Sequence, residues 1–235
     1  MSLKPQEGNS SVSSANTIAS LASDIVSLEE AVEEVRRLLE ENLPSRSFFE
    51  PYRPLRHWFL RPDEIGNIHG ITHEARVMIW QEVLSRLLIR DGMTLDQEAL
   101  RWAAATHDTQ RIADGTDFPH GERAAAWVER AFKHRLPEYS LETVVYLNTW
   151  HVPPDSSAPA MTPELAVFKD ADSLDRVRLY DLDPQFLRWD YSKTLLQYLA
   201  QALFEGSEVK QQQEGYDLFD CVIETAVDLG LVIAE

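Results

Sequence analysis

Apolar residues recur at spacings of three and four along most of this chain. From about Thr17 to Glu41 the series Ile18, Leu21, Ile25, Leu28, Val32, Val35 and Leu39 predicts an amphipathic helix, with Glu29, Glu30, Glu33, Glu34, Glu40 and Glu41 forming a solvated face. Such a helix packs on the main body or pairs with a neighbour, so an oligomer formed through it is one expectation. A second periodic stretch runs from about His69 to Leu88, and a third leads through Ala99, Leu100 and Ala103 to His107. Further helices are expected to open at Ser140, at Thr162-Pro163 and at Asp183-Pro184, the last two placing a capping side chain before a proline. Thr94 with Gln97 reads as a capping box. Four prolines between Pro44 and Pro62, interleaved with aromatics in FFEPYRPLRHWF, break regular structure and predict a packed connection. No segment alternates with a period of two and no internal repeat is visible. The expected class is all-α, a compact bundle of about seven or eight helices with an N-terminal helical appendage.

The Ser, Asn and Gly content of residues 1–16 predicts a disordered tail. Residues 17–64 then hold the first helix and the proline-rich connection, and residues 65–235 a single helical domain with C-terminal helices. A length of 235 residues suits one substantial core.

The lone Cys221 excludes an internal disulfide and reads as a small core side chain. The N-terminus lacks the basic-then-apolar pattern of a secretory signal, so a cytoplasmic location is expected. No apolar run approaches the roughly 20 residues needed to span a bilayer, which argues against a membrane partner. With 22 basic and 39 acidic residues the chain carries a formal charge of −17. That charge repels a nucleic-acid polymer, whereas a small anionic ligand needs only two or three local cations.

The candidate chemistry lies where charges interrupt apolar stripes. His69, His73, Arg76, Val77, Trp80, Leu84 and Leu87 share one helical face; His107 continues the face of Ala99, Leu100 and Ala103, with Asp108 beside it. His151 follows Val144 and Leu147, and Asp172 follows Leu165 and Phe168, at the same offsets. One inward histidine is ordinarily a satisfied core residue, but four helices with this feature are unusual. Buried carboxylates at Asp108 and Asp172 require a cation, and a metal shared with His73 and His107 supplies one. Imidazole with carboxylate suits iron, manganese or zinc better than calcium.

His73, His107-Asp108 and Asp172 resemble, in order and spacing, the H…HD…D signature of the HD-domain superfamily of metal-dependent phosphohydrolases. The stretches IHGITHEARV, AAATHDTQR, HGERAA and FKDADSLDRVR are similar to the superfamily's wording as well. The likeness spans about residues 65–180. It implies an all-helical core in which His73, His107, Asp108 and Asp172 hold one divalent metal, Mn²⁺ or Fe²⁺ foremost. Members with two metals add histidines in the places of His120 and His151, which otherwise merely cap or end a helix. Asp108 is then both ligand and orienter of the attacking water.

His69, one turn before His73, either extends the ligand set or orients a bound phosphate, and a role supporting the ligands is the expectation. Arg76, Arg111 and Arg176 lie near proposed ligands and are candidate phosphate clamps, Arg111 and Arg176 also acting in catalysis; as structural bridges they would instead pair with Asp114, Asp117 or Asp175. Lys169 and Arg178 have weaker claims, and His57 and His134 read as ordinary residues. Three function classes follow: a hydrolase of a small phosphorylated metabolite or nucleotide, a di-iron oxygenase on the same scaffold, and a non-catalytic metal-binding regulatory protein.

Overall fold

The computed structural model describes residues 27–235 other than Glu214 and Tyr216. The tail at 1–16 and the first turns of the helix expected from Thr17 lie outside the described residues. Eight α-helices are present among them: α1 (Leu28–Leu39), α2 (Ile71–Arg90), α3 (Gln97–Ala104), α4 (His120–Phe132), α5 (Glu138–Trp150), α6 (Pro163–Leu174), α7 (Gln197–Gln211) and α8 (Asp220–Asp228). No strand occurs among the described residues; a single isolated bridge joins Ser45 to Ile233. The fold is an all-helical bundle, as the periodicity predicts.

α2 is the central element, packed by α1, α3, α6, α7 and α8. Seventeen of its 20 residues are buried, Trp80, Leu84 and Leu87 completely. A helix enclosed on all sides needs no polar face, so its charged residues must find partners within the protein. α4 and α5 form an antiparallel pair laid against α3, and α7 pairs with α8. α1 begins at a capping box between Ser27 and Glu30 and buries Ala31, Val35, Leu38 and Leu39 against its own chain.

Several boundaries differ from the sequence reading. The Thr94–Gln97 box is not the start of α3: Asp96 is the N-cap, accepting the amide of Ala99 at 3.0 Å. α5 opens after Pro137 rather than at Ser140, whose side chain is buried inside the first turn. Thr162 caps α6 as expected, accepting Leu165 N–H at 3.1 Å. Asp183-Pro184 opens only a 3-10 turn, Pro184–Phe186. The proline-rich connection is packed as expected: Tyr52, Trp58, Trp102, Trp127 and Phe132 form a continuous aromatic cluster, with Trp58 edge-on to Phe132 at 5.5 Å. Tyr52, Trp58 and Phe132 are buried, each contributing about 1.5–3 kcal/mol of burial energy, and Trp102 and Trp127 are half-buried against them. Cys221 is fully buried, and burial pushes its thiol up to about 11. Among the described residues no helix is long and apolar enough to cross a membrane.

Candidate metal centre

Four stretches of chain converge on Asp108. His73 lies in the first turn of α2, while His69 stands just outside it in the turn that Gly70 closes. A Cβ on Gly70 would sit 1.9 Å from the Ile65 carbonyl, so only glycine permits this entry into the helix. His107 and Asp108 lie in turns beyond the end of α3 rather than on the helix, which stops at Ala104. His120 is the first residue of α4 and His151 the C-cap of α5. Gly121 brings those two ends together, since a Cβ there would lie 2.4 Å from the Asn148 carbonyl and 3.1 Å from His151. Asp172 is in the last turn of α6.

The six expected ligands, with His69, form one cluster. The Nε2 atoms of His73 and His107 are 3.1 Å apart, with Asp172 Oδ1 at 3.4 Å and 3.9 Å from them. Asp108 divides its carboxylate: Oδ2 lies 2.7 Å from His69 Nδ1 and 3.5 Å from His73 Nε2, and Oδ1 lies 2.9 Å from His120 Nε2 and 3.9 Å from His151 Nε2. His120 and His151 approach each other at 2.9 Å through Nε2. Within this cluster three groups can each hold a metal ion, with ligand atoms within 4.8 Å of one another: His69-His73-Asp108, His73-His107-Asp172 and His107-Asp108-His151.

The hydrogen bonds behind the rings decide what the inner nitrogens offer. His73 Nδ1 is 2.7 Å from Asp175 Oδ2, His107 Nδ1 3.3 Å from the Ala104 carbonyl and in an ion contact of 2.7 Å with Glu74 Oε2, His120 Nδ1 2.5 Å from the Asp117 carbonyl and His151 Nδ1 2.7 Å from the Asn148 carbonyl. For His73, His107 and His151 every such partner is an acceptor, so their Nδ1 atoms carry a hydrogen and their neutral rings turn a lone pair inward from Nε2, whereas His120 Nδ1 faces both the Asp117 carbonyl and the Arg111 guanidinium at 3.1 Å. The lone pairs of neutral His73 and His107, facing each other at 3.1 Å, repel unless a cation lies between them. Asp108 Oδ1 is also buried without a hydrogen-bond partner. The donor set therefore fits a divalent metal.

The charges agree. Burial opposes ionisation of Asp108, but the imidazoles of His107, His120, His151 and His69 outweigh it and hold the carboxyl well below its ordinary range. Burial and the Arg178 charge push His73 down to about 3. Burial also disfavours a charged His107, yet Glu74, Asp108 and Asp172 prevail and raise it to about 10. In the metal-free protein a proton on His107 thus takes a cation's place, shared toward the neutral His73. Glu74, pushed up to about 7 by burial, also accepts the Asp108 amide at 3.1 Å and fixes the turn carrying the doublet.

His69, Asp108, His120, His151 and Asp172 of the cluster line an open cavity of about 950 Å³, with His73 and His107 buried behind them. Asp172, with its side chain 31 % exposed, is the most exposed of the candidate ligands that line it. Arg111, Lys169, Arg176, Arg178 and Arg188 line the cavity beside only three acidic residues, Asp108, Asp155 and Asp172. In a chain whose acids outnumber its bases 39 to 22, this is a local reversal of charge. Arg111 reaches His120 at 3.1 Å and Asp108 at 3.5 Å, and is steadied by the carbonyls of Ala113 and Gly115. Arg176 is half-exposed at the rim and paired with Asp181. His69 lies between Asp108 and Arg178, whose Nη2 is 3.2 Å away.

Arg76 is placed otherwise than expected. It is buried, does not line the cavity, and is bound to Asp175 at 2.6 Å and Ser207 at 3.1 Å. It acts on the ligands through Asp175, because Asp175 in turn holds His73. His57 and His134 are exposed and apart from the cluster. Sequence reasoning missed Glu74 and Asp175 as partners of ligand histidines. The available signals were a carboxylate directly after His73 and another three residues after Asp172.

No family model matches the chain, and no curated protein or solved structure matches it.

Proposed function

We propose that the chain is a metal-dependent phosphohydrolase of the HD type, acting on a small phosphorylated metabolite or nucleotide. One observation carries this reading: a single buried carboxylate, Asp108, turns one oxygen to His69 and His73 and the other to His120 and His151, at the floor of a cavity rich in basic side chains. His73, His107, Asp108 and Asp172 would hold one divalent ion, and Asp108, His120 and His151 a second. A transition metal bound there, Mn²⁺ or Fe²⁺, lowers the pKa of water toward neutrality and offsets phosphoryl charge. The chain's own groups set the geometry. Asp175 and Glu74 fix the ring planes of His73 and His107, and His69 holds the Asp108 carboxylate in place. Arg111, at the cavity wall, is positioned to hold a phosphoryl oxygen, and Arg176 to meet it from the rim once Asp181 is exchanged for the ligand.

The test is a panel of nucleotides, sugar phosphates and aryl phosphates with Mn²⁺, Fe²⁺, Co²⁺ and Mg²⁺, in air and under strict anaerobiosis. Phosphate release is expected under both conditions. His107→Ala and Asp108→Ala should abolish it and strip the metal, and replacing Arg111 or Arg176 should lower turnover by about 10- to 100-fold, the worth of a charge-assisted contact of about 1.5–3 kcal/mol. Metal content should be near two ions per chain and fall in both His120→Ala and His151→Ala. Absence of hydrolysis across the panel, with oxygen consumption by an iron-loaded sample given a polyol or phosphonate, would replace this reading with a di-iron oxygenase.

A further inference from the structure

Lys169, Arg188 and Asp155 line the same cavity as the ligand cluster and form a closed group of their own. Lys169 lies on α6 three residues before Asp172, about 4.5 Å along the helix axis. Its side chain is only 6 % exposed, and its Nζ contacts Asp155 Oδ1 at 3.0 Å and the Pro153 carbonyl at 2.5 Å. Arg188 closes on the same carboxylate as a fork, Nε to Oδ2 at 2.9 Å and Nη2 to Oδ1 at 2.6 Å. The fork is itself anchored. Buried Asp170 accepts the backbone amides of Arg188 and Trp189 at 2.8–2.9 Å and the Arg188 Nη1 at 3.1 Å.

The two cations are therefore fixed, one by burial and one by Asp170. Asp155 is not. Its side chain is 47 % exposed on a 3-10 turn, Asp155–Ser157, that follows Pro153-Pro154. A guanidinium fork with an ammonium on two carboxylate oxygens is the arrangement by which proteins hold phosphoryl oxygens. Only the carboxylate is half-exposed; Lys169 and Arg188 lie deeper, so Asp155 can leave without penalty only in exchange for another anion that keeps both cations paired.

We propose that Lys169 and Arg188 form a second anion subsite in the cavity, and that Asp155 fills it as an internal placeholder until an oxyanion of the ligand displaces it. The ligand class follows: a small molecule with two separate anionic groups, a phosphoryl at the metal cluster and a second oxyanion, phosphoryl or carboxylate, at Lys169 and Arg188. The identity of the reacting group rests on the phosphohydrolase reading; the second subsite does not.

Calorimetric titration of inorganic phosphate, and separately of acetate, into the metal-loaded protein tests it. Asp155→Asn removes the competing charge and should tighten phosphate binding about tenfold, the worth of one charge-assisted hydrogen bond. Lys169→Gln added to Asp155→Asn should abolish that gain, and His107→Ala added to it should preserve the gain while removing the metal. A tightening for acetate equal to that for phosphate assigns the second group as a carboxylate; a larger one for phosphate assigns a phosphoryl. Equal phosphate affinity in wild type and Asp155→Asn, or a gain that survives Lys169→Gln, makes Asp155 a structural bridge and overturns the proposal. Should the double variant fail to fold, Asp155→Asn decides alone. A gain in Asp155→Asn with no hydrolysis anywhere in the substrate panel overturns the hydrolase reading and leaves the subsite standing.

Discussion

Replacing Asp175 with alanine should cost both stability and metal affinity, and the two losses can be separated. Asp175 is fully buried and accepts from His73 Nδ1 at 2.7 Å, Arg76 Nε at 2.6 Å and Nη2 at 3.3 Å, with Arg178 Nη1 at 3.4 Å. Removing one partner of a buried ion pair costs about 3–5 kcal/mol, because the other charge is left in a low-dielectric interior. Arg76 retains Ser207 at 3.1 Å, the Phe204 ring at 5.2 Å and a distant Glu208 at 3.8 Å, which places the cost near the lower end, about 3 kcal/mol. For a domain of this size each kcal/mol moves the melting temperature by about 2–4 °C, so a fall of roughly 6–12 °C is expected in the chelated protein. His73 also loses the acceptor that fixes its tautomer, a change that ordinarily lowers metal affinity about 10- to 100-fold. Asp175→Asn separates the effects: its amide oxygen still accepts from His73, so affinity is largely kept, while the lost charge still lowers stability. Thermal unfolding followed by circular dichroism in EDTA, with a chelator-competition titration, measures both. Melting within about 2 °C of wild type, together with unchanged metal affinity, would refute the reasoning.

Two further outcomes follow from the same site. His107 is raised to about 10 in the folded, metal-free protein against about 6.5 unfolded, so its contribution is complete below about 6.5 and is lost as pH rises toward 10. The melting temperature of chelated protein should therefore drop across that alkaline window, and metal titrations at pH 8 should release a proton; a flat profile with no proton release would contradict the assignment. Gly121→Ala should cost about 1–3 kcal/mol by overpacking α4 on α5 and should lower metal stoichiometry by parting His120 from His151. Gly115→Ala, where an added Cβ meets nothing within 4 Å, is the control, and equal stoichiometry in the two variants would count against the close approach.

The residues of the candidate metal site were legible because they violate a pattern. His73, His107 and Asp172 each interrupt an apolar series at helical spacing, with Asp108 beside His107, and such charges inside a core call for a cation, although His107 and Asp108 lie in the turns just past α3. The supporting carboxylates were not legible, for two physical reasons. Glu74 lies on a helix buried on every side, where periodicity marks no face as inward, and Asp175 lies in the 3-10 turn beyond α6, where helical spacing no longer applies. The same limit explains Arg76, whose position on the helix suggested the cavity while its partner Asp175 drew it into the core. Asp96 rather than Thr94 caps α3, and Asp183-Pro184 starts one turn rather than a helix, because capping residues specify where a helix can start and packing determines whether it continues.

The reversal of charge within the cavity has a kinetic meaning. A free anion meets the field of a chain with 17 excess negative charges, which reaches only about 8–10 Å from the surface at physiological ionic strength. Inside that distance the cavity's five basic lining side chains exceed its three acidic ones, and they would oppose the repulsion locally. A compact ligand crosses the repulsive zone once and comes to rest wholly within the attractive one. A long polyanion cannot, since the charges trailing outside the mouth remain in the repulsive field however well its end is held. Such a charge distribution would favour short anions over long ones, and added salt, by thinning the repulsive zone, should speed their entry even as it weakens the hold inside.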